Sequence, residues 1–186
     1  MRLLSLTLLV LLPALGPAAE KITAKAHDIR LETVAHGLDQ PWAMAFLPNG
    51  DALVTERPGR LNRVDTDSGA YQTITGTPAV DARGQGGLLD VALHPEFATN
   101  RWVYLTWSGR GDGGNATYLG RGKLRNGQLE AFETLFVATP YVDSTKHFGS
   151  RITFNDGYVF ITVGERGQRE RAQDLSDHNG SVIRLR

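Results

Sequence analysis

The chain has 186 residues, in which 20 Lys and Arg residues balance 20 Asp and Glu residues. A neutral chain lacks the clustered basic charge that binds phosphate backbones, so nucleic acid is excluded as the expected partner. The complete absence of cysteine excludes disulfides, thiolate metal sites and cysteine nucleophiles.

The first predicted element is a secretory signal peptide at residues 1–19. Arg2 precedes an apolar run from Leu3 to Leu12, and Gly16-Pro17-Ala18-Ala19 supplies small residues for cleavage. The run is shorter than the roughly 20 apolar residues of a membrane span. We therefore expect an exported protein, periplasmic or secreted, whose mature part (20–186) has no membrane span.

Beyond the signal, short apolar or alternating runs recur between turn residues, and helical periodicity is almost absent. This spacing is typical of an all-β sandwich, barrel or propeller. The predicted strands are Ile29–Val34, Trp42–Phe46, Ala52–Glu56, Leu61–Val64, Leu88–Leu93, Trp102–Trp107, Tyr118–Lys123, Arg151–Phe154, Tyr158–Val163 and Val182–Leu185.

One pattern occurs three times: a strand, a turn, and a second strand that ends in threonine. It spans Met44–Thr55, Val91–Thr106 and Ile152–Thr162, at intervals of about 50 residues, which fits one four-stranded propeller blade per repeat. A sandwich would not need the same hairpin three times. Closed propellers have typically about 4–8 blades, and about three fit here. We therefore predict a partial β-propeller, and expect residues 20–186 to be the N-terminal part of the propeller domain of a longer protein.

The stretch from Asp143 to Gln168 carries the main candidate site residue. Asp156-Gly157 lies between two apolar runs and predicts a tight hairpin, because that turn needs positive φ. A rigid hairpin presents polar groups at its ends, where sites are commonly built. His147 is the candidate there, with a hydrogen-bonded loop histidine as the alternative. Arg151 is expected to form an ion pair between blades.

A second stretch, Gly84-Gln85-Gly86-Gly87, leads into the second repeat. Its glycines allow a tight turn and close approach to a ligand, and Gln85 offers a donor and an acceptor. The alternative is a solvated glutamine in a glycine-rich turn.

Asn115-Ala116-Thr117 forms a glycosylation sequon, relevant only in a host that has the pathway. No histidine pair has zinc-ligand spacing, so no metal ligand is assigned.

Four segments in order carry a family resemblance: His36–Pro48, Gly84–Pro95, His147–Phe154 and Gly164–Leu175. Together they resemble the soluble pyrroloquinoline-quinone (PQQ)-dependent aldose sugar dehydrogenases, the glucose/sorbosone dehydrogenase family. The resemblance runs from about residue 30 to Arg186. It implies a six-bladed propeller, of which this chain would form roughly the first half.

The resemblance implies oxidation of aldose sugars at C1, with hydride transfer to the quinone. His147 matches the catalytic histidine, the base that removes the C1 hydroxyl proton, and an unperturbed imidazole with a pKa near ~6.5 suits that task. Gln85 matches a glutamine of the substrate and cofactor site. Gln168 lies in a loop that matches one lining the same cleft. Calcium is implied as a second cofactor, but its ligands and the main PQQ-binding arginines belong to later blades of the family.

Lys146 departs from the glucose-oxidising branch of the family, which has an acidic residue there, so the sugar and the electron acceptor stay open. Because the later blades would carry cofactor ligands, we expect the 186 residues alone to be inactive. A non-enzymatic propeller that binds protein or carbohydrate is the alternative, and it predicts Gln85 and His147 far apart. A sugar-lactone hydrolase on a similar propeller would need carboxylates and amides around a central metal.

Overall fold

A computed structural model describes residues 20–186, so the predicted signal peptide lies outside the described residues. The described residues divide into two compact units, 20–34 and 35–186. In the first unit, β1 (Glu20–Thr23) and β2 (Asp28–Leu31) form a two-stranded antiparallel sheet. Sequence analysis predicted β2 but missed β1. Within residues 20–186, no helix is long and apolar enough to cross a bilayer.

The second unit consists of three antiparallel sheets in which neighbouring strands follow one another along the chain. The first sheet contains β3 (Pro41–Phe46), β4 (Ala52–Glu56), β5 (Arg60–Val64) and β6 (Tyr71–Ile74); the second contains β7 (Leu88–Leu93), β8 (Trp102–Gly111), β9 (Gly114–Arg125) and β10 (Gln128–Val137); the third contains β11 (Gly149–Asn155), β12 (Tyr158–Val163) and β13 (Val182–Leu185). A one-turn helix, α1 (Phe97–Asn100), joins β7 to β8, and a 3-10 helix (Arg169–Gln173) joins β12 to β13.

The three sheets are consecutive propeller blades. Strand β3 packs beside β7, and β7 packs beside β11, so the first strand of each sheet is its innermost strand. These innermost strands correspond to the predicted strands Trp42–Phe46, Leu88–Leu93 and Arg151–Phe154. The all-β, partial-propeller prediction is therefore correct.

Apolar side chains of adjacent blades form the core. One cluster joins the first two blades through Leu53, Leu61, Leu88 and Leu105, each with no exposed surface. A second cluster joins the next pair through residues that include Tyr104, Leu119, Ile161 and Val163. Burial of a leucine or isoleucine side chain contributes about 1.5–3 kcal/mol. Each blade is thus stabilised mainly by its neighbour, as expected for stacked repeats.

The repeated threonines have a common structural role at an irregularity in the innermost strand. The hydroxyls of Thr55, Thr106 and Thr162 accept the backbone N–H groups of Ala43, Asp90 and Arg151, at 3.0, 2.9 and 3.0 Å. Each acceptor lies opposite a register shift in the β3–β4, β7–β8 or β11–β12 pairing. The hydroxyl replaces a ladder hydrogen bond that the bulge removes.

Two of these threonines also bond to the next blade. Thr55 Oγ1 donates to the carbonyl of Leu89 at 2.6 Å, and Thr106 Oγ1 donates to the carbonyl of Ser150 at 2.8 Å. Both hydroxyls are fully buried, where an unpaired donor would be costly. The repeated threonine therefore fixes its own blade and the next one together.

An ion pair and a tight turn also agree with expectation. Arg151 Nε lies 3.3 Å from Asp90 Oδ2, which confirms the predicted ion pair between blades. Asp90 is buried, and this burial raises the pKa of its carboxyl above the usual range. Asp156 and Gly157 connect β11 to β12 with φ values of 49° and 78°, the positive pair of a type I′ turn.

Candidate active site

A cleft of about 320 Å³ opens where the loops that lead into the innermost strands meet. Residues from all three blades line it. They are Trp42 and Arg57 of the first blade, Gly84, Gln85 and Leu89 of the second, and His147, Phe148 and Gly149 of the third. Two of the three sequence-predicted site residues, Gln85 and His147, are therefore on the same surface.

Gln85 and His147 are in direct contact. The backbone N–H of His147 donates to Oε1 of Gln85 at 2.8 Å, and the backbone N–H of Gln85 donates to the carbonyl of Thr145 at 2.7 Å. The two loops are thus joined by reciprocal hydrogen bonds. The binding-module alternative predicted these residues far apart, and this geometry argues against it.

His147 has an unusual backbone and a half-exposed side chain. Its φ is 54°, in the left-handed region, which non-glycine residues occupy only when their surroundings enforce it. Its imidazole is 46% exposed toward the cleft. The left-handed backbone and the accessible ring in a cleft make His147 a candidate functional residue.

Glu165 is the partner of the His147 side chain, and sequence analysis missed it. The Nδ1 atom of His147 is hydrogen-bonded to Oε1 of Glu165, which also accepts the backbone N–H of Gly167 at 3.0 Å. The hydrogen bond from His147 lowers the pKa of the Glu165 carboxyl below its usual range. Because an ionised carboxylate only accepts, the neutral tautomer that this contact favours has its proton on Nδ1 and an acceptor at Nε2.

Gln168, the third predicted site residue, has a different environment. It directly precedes the 3-10 helix, and its side-chain carbonyl accepts a hydrogen bond from Arg171. It is not among the residues that line the cleft. The loop that sequence analysis selected does reach the site, but through Glu165. The sequence did contain a signal for this residue: Glu165 is acidic and lies in a loop assigned to the same cleft as His147, the candidate base.

Arg57 is a second cleft residue that sequence analysis missed. Its guanidinium donates to the carbonyls of Gly86 at 3.0 Å, Ala82 at 3.2 Å and Gly84. It also donates to the side chain of Gln40 at 2.8 Å. These bonds shape the loop that carries Gln85, so the conformation of the glycine-rich stretch is set by an arginine of the preceding blade.

Close packing explains two of the glycines. A Cβ on Gly87, whose φ is 135°, would lie 2.1 Å from the carbonyl oxygen of Arg57. A Cβ on Gly84 would lie 2.5 Å from the carbonyl oxygen of Thr145. A side chain at either position would push apart the loops that form the cleft.

The site has no recognisable metal centre of its own: residues 20–186 contain no cluster of three or more His, Asp or Glu residues able to hold an ion.

The fold and this site define a class of protein, a propeller in which a histidine that lines a cleft between blades is hydrogen-bonded to a carboxylate. Residues 38–186 match the profile of the glucose/sorbosone dehydrogenase family, and the chain belongs to that family. The family resemblance inferred from the four sequence segments is confirmed.

Known proteins similar to this chain agree with that assignment. It is 42% identical over 162 residues to the aldose sugar dehydrogenase YliI of Escherichia coli, covering 84% of this chain and 44% of that protein. The crystal structure of the soluble aldose sugar dehydrogenase from Escherichia coli superposes with a TM-score of 0.79 at 42% identity, covering 83% of this chain and 46% of the other.

A further structure, the PQQ-bound aldose sugar dehydrogenase from Streptomyces coelicolor, has a TM-score of 0.71 at 34% identity. It covers 83% of this chain and 47% of the other. The chain thus spans about half the length of the relatives it matches.

Proposed function

We propose that the complete protein containing this sequence oxidises aldose sugars at C1, with PQQ as the hydride acceptor and His147 as the general base. The observation that carries the proposal is that His147, which lines the cleft next to Gln85, is hydrogen-bonded to Glu165. Family membership supports the reaction class, and the PQQ-bound relative supports the cofactor. Export through the segment at residues 1–19 belongs to the same proposal.

His147 has the atoms that this reaction requires. In the neutral imidazole with Nδ1 bonded to Glu165, Nε2 is the free ring nitrogen, and it accepts the proton of the C1 hydroxyl. The imidazolium that forms is stabilised by the adjacent Glu165 carboxylate. Oxidation of a cyclic aldose at C1 releases one proton and one hydride and leaves a lactone. His147 takes the proton.

PQQ, when bound, supplies a quinone carbon that accepts the hydride. The residues present suit an anionic, planar group. Arg57 carries a positive charge in the cleft and, within the described part of the chain, its guanidinium bonds only to neutral oxygens. A cofactor with three carboxylates would be attracted to that charge. Trp42 and Phe148 provide aromatic surface and help to exclude water.

Calcium does not fit the described residues in the same way. Residues 20–186 offer no cluster of carboxylates that could supply the oxygen ligands calcium prefers. No step of the proposed chemistry is assigned to it.

The test is His147→Ala in the complete protein, measured as sugar-dependent dye reduction and as PQQ affinity. Loss of a general base lowers turnover about 10²–10⁴-fold, and PQQ affinity should change little. His27→Ala is the matched control, because His27 is exposed and belongs to the first unit. Full turnover by His147→Ala would reject the catalytic assignment. N-terminal sequencing of the exported protein tests removal of residues 1–19.

A further inference from the structure

Arg166 is a buried cation that the proposed chemistry does not use. Only 1% of its surface is exposed. Its guanidinium donates to the carbonyl of Lys146 at 2.9 Å and to the carbonyl of Ser144. The guanidinium carbon also lies 3.7 Å from the centre of the Phe148 ring. Burial lowers the pKa of Arg166 to about 10, so the side chain stays charged at neutral pH.

Asn115 completes the surroundings of this arginine. Its Oδ1 accepts from Arg166 at 2.6 Å, and its backbone carbonyl accepts from the same guanidinium at 3.2 Å. Its Nδ2 donates to Oδ2 of Asp81 at 3.2 Å. Asn115 is 1% exposed, so the amide that the sequon would offer for glycosylation is used inside the protein.

Asp81 connects this network to the loop that carries Gln85. Its carboxylate pairs with Arg83, whose Nη2 lies 2.8 Å away. Its backbone carbonyl accepts from Ser108 Oγ at 2.6 Å, and the same hydroxyl accepts the backbone N–H of Gly87 at 2.7 Å. The buried chain Asp81–Asn115–Arg166 therefore touches both loops that form the cleft.

The loop before β11 is held at every residue from Ser144 to His147. Arg166 binds the carbonyls of Ser144 and Lys146. Gln85 binds the carbonyl of Thr145 and, through its side chain, the amide of His147. Four consecutive residues, the last of which is His147 with its left-handed φ of 54°, are thus held by two residues: Arg166 through its side chain, and Gln85 through its backbone N–H and its side chain.

We propose that Arg166, oriented by Asn115, is a positioning residue that holds the Ser144–His147 loop and thereby places the His147 imidazole in the cleft. Arginine suits this role because its planar fork serves several carbonyl oxygens at once, and lysine offers only a compact point charge. The kinetic consequence rests on the proposed function. The structural consequence, an ordered His147 backbone, does not.

The test compares Arg166→Met and Arg166→Lys with Arg121→Met in the complete protein. Arg121 is the matched control, because it also stacks on an aromatic ring, 4.4 Å from the centre of Trp102, but bonds to Glu133 and Tyr104 instead of the loop. Amide hydrogen exchange at His147 is measured beside kcat and KM. Arg166→Lys retains the charge and the size of the side chain, so it remains informative if Arg166→Met does not fold.

In both Arg166 variants, exchange at the His147 amide should accelerate, by about tenfold when the loop loses its carbonyl bonds. Turnover should fall about 10²-fold in Arg166→Met, with a smaller change in KM, because a misplaced base loses rate more than affinity. Arg121→Met should change neither. Unaltered His147 exchange in Arg166→Lys, or equal losses in the Arg121 control, would overturn the inference. If His147→Ala keeps full turnover, the exchange measurement alone decides it.

Discussion

The side-chain carbonyl of Gln85 accepts the backbone N–H of His147 at 2.8 Å, although the two residues are 62 positions apart in the chain. This bond fixes the backbone of the proposed base. The side-chain amide of Gln85 therefore positions His147 in addition to lining the cleft. Replacing Gln85 with Met removes the acceptor and nearly conserves volume. We expect turnover to fall about 10²-fold. Gln85→Glu keeps an acceptor at the same place and should retain more turnover; equal losses in the two variants would contradict this role.

Removing the charge of Glu165 should weaken the proposed base. In Glu165→Gln the side chain can still accept from Nδ1, but the imidazolium formed during the reaction loses its counter-charge. We expect turnover to fall about 10²-fold or more, as for other carboxylate–histidine pairs. The measurement is steady-state dye reduction across a pH series. Glu170→Gln, an exposed carboxylate of the 3-10 helix, is the control and should behave as the parent protein.

Asp81 should make stability dependent on acid pH. Its side chain is 3% exposed, and the hydrogen bond from Arg83 holds the pKa of the carboxyl well below its ordinary value of 3.8. A depressed carboxyl pKa stabilises the fold above the unfolded-state value, and this contribution is lost as pH falls toward the folded-state value. Urea midpoints should therefore decline in the parent protein below pH 3.8.

Asp81→Asn provides the comparison for that pH series. The variant lacks the titrating carboxyl group. The difference between its urea midpoint and that of the parent should therefore become smaller as pH falls. Asp67→Asn, at an exposed carboxylate, should follow the parent curve. If the urea midpoint of Asp81→Asn stays below that of the parent by the same amount down to the lowest pH, the carboxylate charge is not what stabilises this region.

Thr106 should contribute to stability through both of its hydrogen bonds. Thr106→Val conserves shape but leaves the N–H of Asp90 and the carbonyl of Ser150 without their partner. Each buried group left unpaired costs about 1–3 kcal/mol. The free energy of unfolding from urea titration should fall accordingly. Thr134→Val, at an exposed position of β10, is the control, and a loss as large as that in Thr106→Val would refute the bridging role.

Most of the fold follows from local patterns in the sequence. Short apolar or alternating runs and an Asp-Gly turn predict β4, β7, β12 and β13 with their observed bounds. A fully buried strand such as β4 contains a continuous apolar run, and a half-buried strand such as β12 alternates in burial. Strand β10 was missed because bulges interrupt its alternation, between Glu130 and Glu133 and between Thr134 and Phe136. Strand β6 was missed because its central residues, Gln72 and Thr73, are polar, so it shows no apolar run.

The sequence by itself therefore determined the blades and, through the family resemblance, the candidates Gln85 and His147. Only the tertiary structure decided what holds them. Arg57 and Arg166 bind carbonyl oxygens of other loops, and Glu165, not Gln168, bonds to His147. Such partnerships join residues that are distant along the chain and have no periodicity. They exist because the packing of one blade against the next brings backbone carbonyls within reach of a buried guanidinium, where an unpaired charge would be costly.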